Sequence, residues 1–348
     1  GFIEGQGQFR VARAIDTSGR IIWGLSASLI LFNGGGVVQL ATATALISLS
    51  RLCIYGFSSR LVDQPMIFSI SLVSLGGVLA MVKDGIHLNG LKVLYSIYSQ
   101  MDRSIIAIFL TVSAITTYDI SFRFFSVTLL LLATASSSVI PTTAKQHSSQ
   151  DFKANKSVFI RGTSITASIV IPICLGLFFY APSIIQVWIG PGHSDAVIPA
   201  RIFLLFPMLS STNQIGIAML TAVGMTKTVL KFQFFSVMIN LVLSVLFVQF
   251  FGLKGVILGT LVSNCALWFP YSRLILKTFN THLTEWLQLI LRPVIVAVLT
   301  QIFFFLFSHY IFELGDILNI LYCGVTTVIA ILFAAIVLRR NILSPIRP

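Results

Sequence analysis

NGLKVLYSIYSQMDRSIIAIFL, residues 89–110, is long enough to cross a bilayer as one helix, yet it carries Lys92, Asp102 and Arg103 in its interior. Helical spacing puts Lys92, Ser96, Ser99 and Arg103 on one face, with Tyr95, Tyr98 and Asp102 beside it. Against hydrocarbon such a stripe would cost roughly 2.5 to 3.5 kcal/mol for each central Lys or Arg, so it must face protein or water. The stretch therefore reads as one wall of a polar interior inside a bundle of membrane helices.

Outward from it, apolar runs of similar length fill nearly all of the 348 residues. About ten spans are expected, at 17–32, 37–55, 89–110, 118–140, 159–180, 196–222, 229–251, 256–274, 287–310 and 317–338. The composition agrees, with 56% hydrophobic and only 10% charged residues, against roughly 25% charged in soluble domains. The fold class is all-α, a polytopic membrane helix bundle. A formal charge of +12 would suggest nucleic acid in a soluble protein, but here most of the 23 basic residues cluster at alternate span ends. With a cytoplasmic N-terminus and a cytoplasmic C-terminus these ends all face the positive-inside side, and only Lys254 lies in an external loop. No nucleic-acid partner is expected.

The same bias sets the apolar segment Met66–Met81. If it crossed, every later loop would invert, so it is expected to be an interfacial helix leading into the next span. Residues 1–15 read as a basic amphipathic connector between spans, which suggests that the chain is the C-terminal part of a longer protein. Cys53, Cys174, Cys265 and Cys323 stand singly inside spans and read as small apolar filler.

Four stretches occur in a telling order. Met101-Asp102-Arg103 in one span precedes Tyr118, Asp119 and Arg123 opening the next, which is expected to close at Pro141 before a basic loop. Val187-Trp188-Ile189-Gly190 and Ala196 form an external turn. Asn240-Leu241-Val242-Leu243 and Phe251-Gly252-Leu253-Lys254-Gly255 with Thr260 join two spans through a glycine turn. In this order they resemble the polysaccharide flippases (Wzx-type, O-antigen and capsule exporters) of the multidrug/oligosaccharidyl-lipid/polysaccharide exporter superfamily. The resemblance implies a MATE-like pair of six-helix lobes around a central cavity. It divides the chain into residues 1–65, the last two helices of the first lobe; 66–275, the second lobe with its leading interfacial helix; and 276–348, an extra C-terminal pair. The first four helices of that pattern are then missing from this stretch.

On that resemblance the stripe reads as a cavity wall whose cations, Lys92 and Arg103, attract a lipid-linked diphosphate, with Arg suited to bidentate contact. The plainer alternative has Arg103 snorkelling outward to an acidic neighbour. Asp119 and Arg123, four apart, have the spacing of an intrahelical ion pair, which would make them an interfacial anchor as readily as a site. Arg201, Asn213 and Gln214 could extend the polar wall, with Pro207 between them permitting a bend. Asn and Gln serve equally as interhelical glue, the default for Asn240, Gln249, Asn264 and Gln301. The candidate substrate-binding set is thus Lys92, Ser96, Ser99, Asp102, Arg103, Arg123, Arg201, Asn213 and Gln214.

Five scattered histidines have no partner at metal-ligand spacing, and no catalytic motif is visible, so neither a cofactor nor an enzyme activity is expected. The resemblance implies flipping of an undecaprenyl-diphosphate-linked oligosaccharide across a bacterial cytoplasmic membrane for polysaccharide or lipopolysaccharide synthesis. Membrane lipids and a coupling proton or sodium ion are the further partners, with Asp102 the candidate for the ion. The alternatives are a cation-drug antiporter of the same superfamily, which would want acids rather than bases in its spans, and a lipid-linked peptidoglycan-precursor flippase. A polytopic polymerase or acyltransferase would normally need a sizeable external loop or an intramembrane acid or His site.

Overall fold

The structure, a computed structural model, describes residues 9–58, 75–311 and 315–343. All regular structure among them is helical. The helices are α1 (Phe9–Phe32), α2 (Val37–Ser58), α3 (Leu75–Phe109), α4 (Val112–Ser148), α5 (Phe152–Trp188), α6 (Val197–Ser210), α7 (Gln214–Ala222), α8 (Thr226–Phe251), α9 (Leu253–Thr278), α10 (Leu283–Ile311) and α11 (Asp316–Leu343), with a single 3-10 turn at Ser194–Ala196. Seven of the described helices are long and apolar enough to cross a membrane, eight if the bent pair α6 and α7 counts as one span. The chain is a multi-pass membrane protein. Helices α1 and α3, both expected as spans, fall short of that test; their sequences include Asp16 and Arg20 in α1 and Asp102 and Arg103 in α3.

The chain forms two compact units, residues 1–81 and 82–348. In the first, α1 and α2 make an antiparallel hairpin turned at Gly34, whose φ of 75° suits glycine. Arg51 and Tyr55 of α2 both bond the Asp16 carboxylate, and Trp23 donates to Thr44 at 3.0 Å. The expected interfacial helix at 66–81 lies mostly outside the described residues; its last seven residues form the start of α3.

In the second unit, α4 and α5 are longer than the spans expected there. Helix α4 runs through Pro141 to Ser148 instead of closing at the proline, and Asp151 caps α5 by accepting from the Ala154 amide at 3.0 Å. The basic loop expected after Pro141 is thus mostly helix. Proline costs one hydrogen bond in a membrane helix, which neighbouring groups can make good, so it need not end the helix. Helices α10 and α11 pack against each other and against α5. Gln301 is buried there and donates to Thr327 at 3.2 Å, the interhelical role expected of it.

The tightest packing joins α8 and α9. Gly252 turns the chain at φ 56°, and a Cβ on Gly255 would stand 2.1 Å from the Phe247 carbonyl oxygen. Small residues let membrane helices approach in this way. The bend between α6 and α7 is 50°. It sits at Ser211–Asn213, beyond Pro207, and the hydroxyls of Ser211 and Thr212 donate to the Met208 and Leu209 carbonyls there. Trp268 of α9 and Trp286 of α10 lie against each other, centroids 5.9 Å apart with the rings tilted by 39°, and Trp286 is buried.

Candidate functional site

Asp102 is a buried acid of the second unit. It is 4% exposed, and no cation among the described residues pairs with it. Its Oδ2 accepts from the Tyr118 hydroxyl at 3.1 Å and from the Thr260 hydroxyl at 3.0 Å, while its Oδ1 has no partner. Thr260 also lies 3.4 Å from both Asn240 Oδ1 and the Val256 carbonyl, yet its hydroxyl carries only one proton to donate. Ser244 donates to Asn240 Oδ1 at 2.7 Å and approaches the Val256 carbonyl at 3.1 Å, and Asn240 Nδ2 is unpartnered. Four helices, α3, α4, α8 and α9, thus converge on one buried carboxylate in a cluster rich in oxygen acceptors. Burying an isolated carboxylate is costly, and a proton or a cation relieves that cost.

Two cavities adjoin this cluster. The smaller, about 60 Å³, is lined by Ser99, Asp102, Tyr118 and Thr260 and walled by Phe122, Phe125, Phe203 and Phe206. These rings stack at 5.0 to 5.8 Å and join α4 to α6. The larger, about 320 Å³, shares Tyr95, Tyr98 and Phe206 with the first and continues along Ser210, Asn213, Gln214, Gln233, Ser236, Asn264, Trp268 and Tyr271. None of its lining residues carries a charge. Amides, hydroxyls and aromatic faces are what a neutral, polyhydroxylated ligand needs for hydrogen bonding and stacking. Asn264 links the two cavities by donating to Tyr98 at 2.8 Å and to the Thr260 carbonyl at 2.7 Å.

The residues singled out in the sequence separate in space. Ser99, Asp102, Asn213 and Gln214 line the two cavities. Arg103 does not; its Nε meets Asp119 at 2.9 Å, its Nη1 donates to the Ser99 carbonyl at 3.1 Å, and its guanidinium lies over the rings of Tyr118 and Phe122 at 5.6 and 5.1 Å. The acidic-neighbour alternative describes it. Asp119 is therefore bound to Arg103 and not to Arg123, which is exposed and has no carboxylate partner among the described residues. The tertiary partner prevails because Arg103 also gains ring contacts that Arg123 lacks. Arg201 donates to the Phe178 carbonyl at 3.0 Å and stacks on that ring, which fixes α6 to α5 away from the cavities. Asn213 holds the bend by donating to the Trp268 carbonyl and to Ser272 at 3.1 and 2.9 Å. Ser96 is exposed, and the side chain of Lys92 lies outside the described residues.

A family model described as "Polysaccharide biosynthesis protein" matches residues 3–198, more than half of the chain. The chain belongs to the polysaccharide biosynthesis protein family. Two curated proteins of Haloferax volcanii resemble this family member. "Probable low-salt glycan biosynthesis flippase Agl15" is 26% identical over 166 residues, 48% of this chain and 35% of that protein. "Probable flippase AglR" is 22% identical over 251 residues, 70% of this chain and 51% of that protein. The chain thus spans about half or less of the length of these relatives. Among solved structures, "Lipid II flippase MurJ, inward closed conformation" superposes with a TM-score of 0.67 at 17% identity, covering 93% of this chain and 66% of that one. The fold of this polysaccharide biosynthesis protein is the one seen in that flippase structure.

Sequence reasoning took Asn240 as interhelical glue and passed over Gln233, Ser236 and Ser244. A signal was present: Gln233, Ser236, Asn240 and Ser244 recur at helical spacing along α8, and Val256, Thr260 and Asn264 along α9. Two such stripes on helices joined by a tight glycine turn must face each other. Trp268 and Tyr271 carried no comparable mark, because aromatic residues are common on every membrane helix.

Proposed function

We propose that the full-length protein is a transporter, not an enzyme, that moves a lipid-linked oligosaccharide across the membrane. The observation that carries this reading is the uncharged amide and aromatic cavity beside the buried Asp102. Family membership and the flippase names of the relatives support it. The sugar head group passes against Gln214, Gln233 and Trp268, the prenyl tail stays in lipid, and Lys92 and Arg123 are the contacts proposed for the diphosphate. The basic residues at alternate helix ends support a cytoplasmic location for both ends of the chain.

The coupling ion of this proposal, a proton or sodium, belongs at Asp102. The residues fit it: Oδ1 has no donor, and the Asn240 amide, the Ser244 and Thr260 hydroxyls and the Val256 carbonyl supply the neutral oxygens that a hard cation takes. A bound cation would supply positive charge to a carboxylate that the protein leaves unpaired.

The test is complementation of an export-deficient strain with the full-length gene, scoring lipid-linked glycan retained in the inner leaflet. A Gln214→Leu/Gln233→Leu variant, normally expressed, should retain glycan there. Wild-type export by that variant would refute the cavity assignment, and failure of the unaltered gene to restore export, coupled with cationic-dye efflux, would replace the flippase reading with the antiporter.

A further inference from the structure

A third cavity, about 620 Å³, opens at the junction of α9 and α10. One stripe of α9 supplies its wall, with Phe269, Arg273 and Lys277 at successive four-residue steps. At 1.5 Å per residue, Phe269 lies about 6 Å deeper along the helix than Arg273 and about 12 Å deeper than Lys277. Leu283 and Leu287 of α10 face this stripe from across the groove. Phe269, at the deep end, is 63% exposed, and Leu283, the first residue of α10, is 49% exposed beside the turn. The deep end is thus apolar and open to lipid, and the shallow end, where two membrane-crossing helices turn, is cationic with an apolar rim.

Among the described residues neither cation has a carboxylate partner. Glu285, at the start of α10, pairs at 2.7 Å with Lys156 of α5. Two unpaired cations at a span end above an exposed apolar groove are the complement of an amphiphile with an anionic head and a hydrocarbon tail. A free phosphate would use the cations and leave the apolar wall without a role. A zwitterionic lipid would use the wall and offer its phosphate, but its own headgroup cation would be repelled by two unpaired positive charges.

We propose that this groove binds an anionic phospholipid, its headgroup phosphate on Arg273 and Lys277 and an acyl chain along Phe269, Leu283 and Leu287. The groove adjoins the larger cavity at Trp268, which lines both, but Phe269, Arg273, Lys277, Leu283 and Leu287 line only the groove, and the proposal does not depend on what the protein transports. Occupancy would fix α10, and with it the Lys156–Glu285 link to α5, according to the anionic lipid content of the leaflet.

The test uses the full-length protein in phosphatidylcholine nanodiscs with and without phosphatidylglycerol, counting retained lipid by native mass spectrometry. Wild type should retain phosphatidylglycerol in preference to phosphatidylcholine. An Arg273→Gln/Lys277→Gln variant should lose about 30-fold in that preference, the effect of two basic residues near an anionic surface. Lys254→Gln, at the opposite end of α9, should leave it unchanged and serves as the folding-neutral comparison. Equal preference in wild type and the double variant would overturn the proposal. Displacement of the lipid by inorganic phosphate would make this a free-anion site, and selective displacement by a polyprenyl phosphate would assign the groove to the transported lipid; either result overturns it as well.

Discussion

Replacing Gly259 by alanine tests the close approach on which the Asp102 cluster is built. A Cβ at this position would stand 2.5 Å from Ser244 Oγ, 2.7 Å from the Ser244 amide nitrogen and 2.9 Å from its Cα. Two of those three atoms are backbone, so no rotamer change relieves the clash. Restoring contact near the usual 3.5 Å requires α8 and α9 to part by roughly 0.6 to 1 Å, and overpacking of this kind costs about 1 to 3 kcal/mol. Alanine's better helix propensity returns about 1 kcal/mol, leaving a net loss of about 0 to 2 kcal/mol. Gly324→Ala is the matched control, since nothing lies within 4 Å of a Cβ there; it should gain about 1 kcal/mol. Denaturant unfolding of the full-length protein in detergent micelles, followed by tryptophan fluorescence, compares the two. Stability of Gly259→Ala equal to or above that of Gly324→Ala would refute the packing argument.

Asp102→Asn should change stability by less than about 1 kcal/mol, because the amide oxygen can still accept from Tyr118 and Thr260, while export in the complementation assay is abolished; wild-type export would remove Asp102 from the mechanism. A double-mutant cycle on Arg103 and Asp119 should give a coupling of about 0.2 to 1 kcal/mol that fades with salt, since the side chains are 31% and 46% exposed. Arg103→Lys should lose a further 0.5 kcal/mol or about that through the ring contacts; a coupling of several kcal/mol would mean that the pair is buried in the functional protein. Asn213→Leu should cost about 1 to 3 kcal/mol by stripping the Trp268 carbonyl and Ser272 of their partner, and an unchanged unfolding midpoint would show that the bend does not depend on Asn213.

Helix class, the multi-pass character and the flippase resemblance were all legible in sequence, because length and apolarity are local properties that a bilayer makes decisive. The site was legible only in part. Asp102 stood out as a candidate because a lone acid in an expected span has no bland explanation, and the structure buries it. Arg103 was assigned to the wall beside it because helical spacing specifies a face but not what that face meets: one step round the helix takes a side chain from the interior to Asp119 and the rings of Tyr118 and Phe122. Arg201 was similarly ambiguous, since its partner is the Phe178 carbonyl, a group that every sequence contains. The spacing of Asp119 and Arg123 described a pair that the fold does not make, because a contact between neighbouring helices offered Asp119 more than its own helix did.

The consequence is a different physical picture of the polar interior. On the proposed function, a basic wall would hold the diphosphate and leave the glycan to water, whereas the uncharged cavity would provide for the glycan and leave the phosphate to residues outside it. Asp102 then matters for its position more than for its charge alone. Its carboxylate is bonded by Tyr118 of α4 and Thr260 of α9, Thr260 adjoins Asn240 of α8, and the Thr260 carbonyl holds Asn264, which in turn holds Tyr98 on the cavity wall. Adding a proton or a cation to Asp102 would change its acceptor capacity, and every donor in that chain would have to share the change. Four helices and the cavity lining would respond together, and because the phenylalanine cluster of α4 and α6 shares a wall with both cavities, the response would extend to the bent span. A single buried acid would suffice for this because the neighbouring cation is engaged elsewhere: Arg103 is held by Asp119, whereas a cation paired directly with the Asp102 carboxylate would hold it in one state and remove the difference on which the proposed coupling depends.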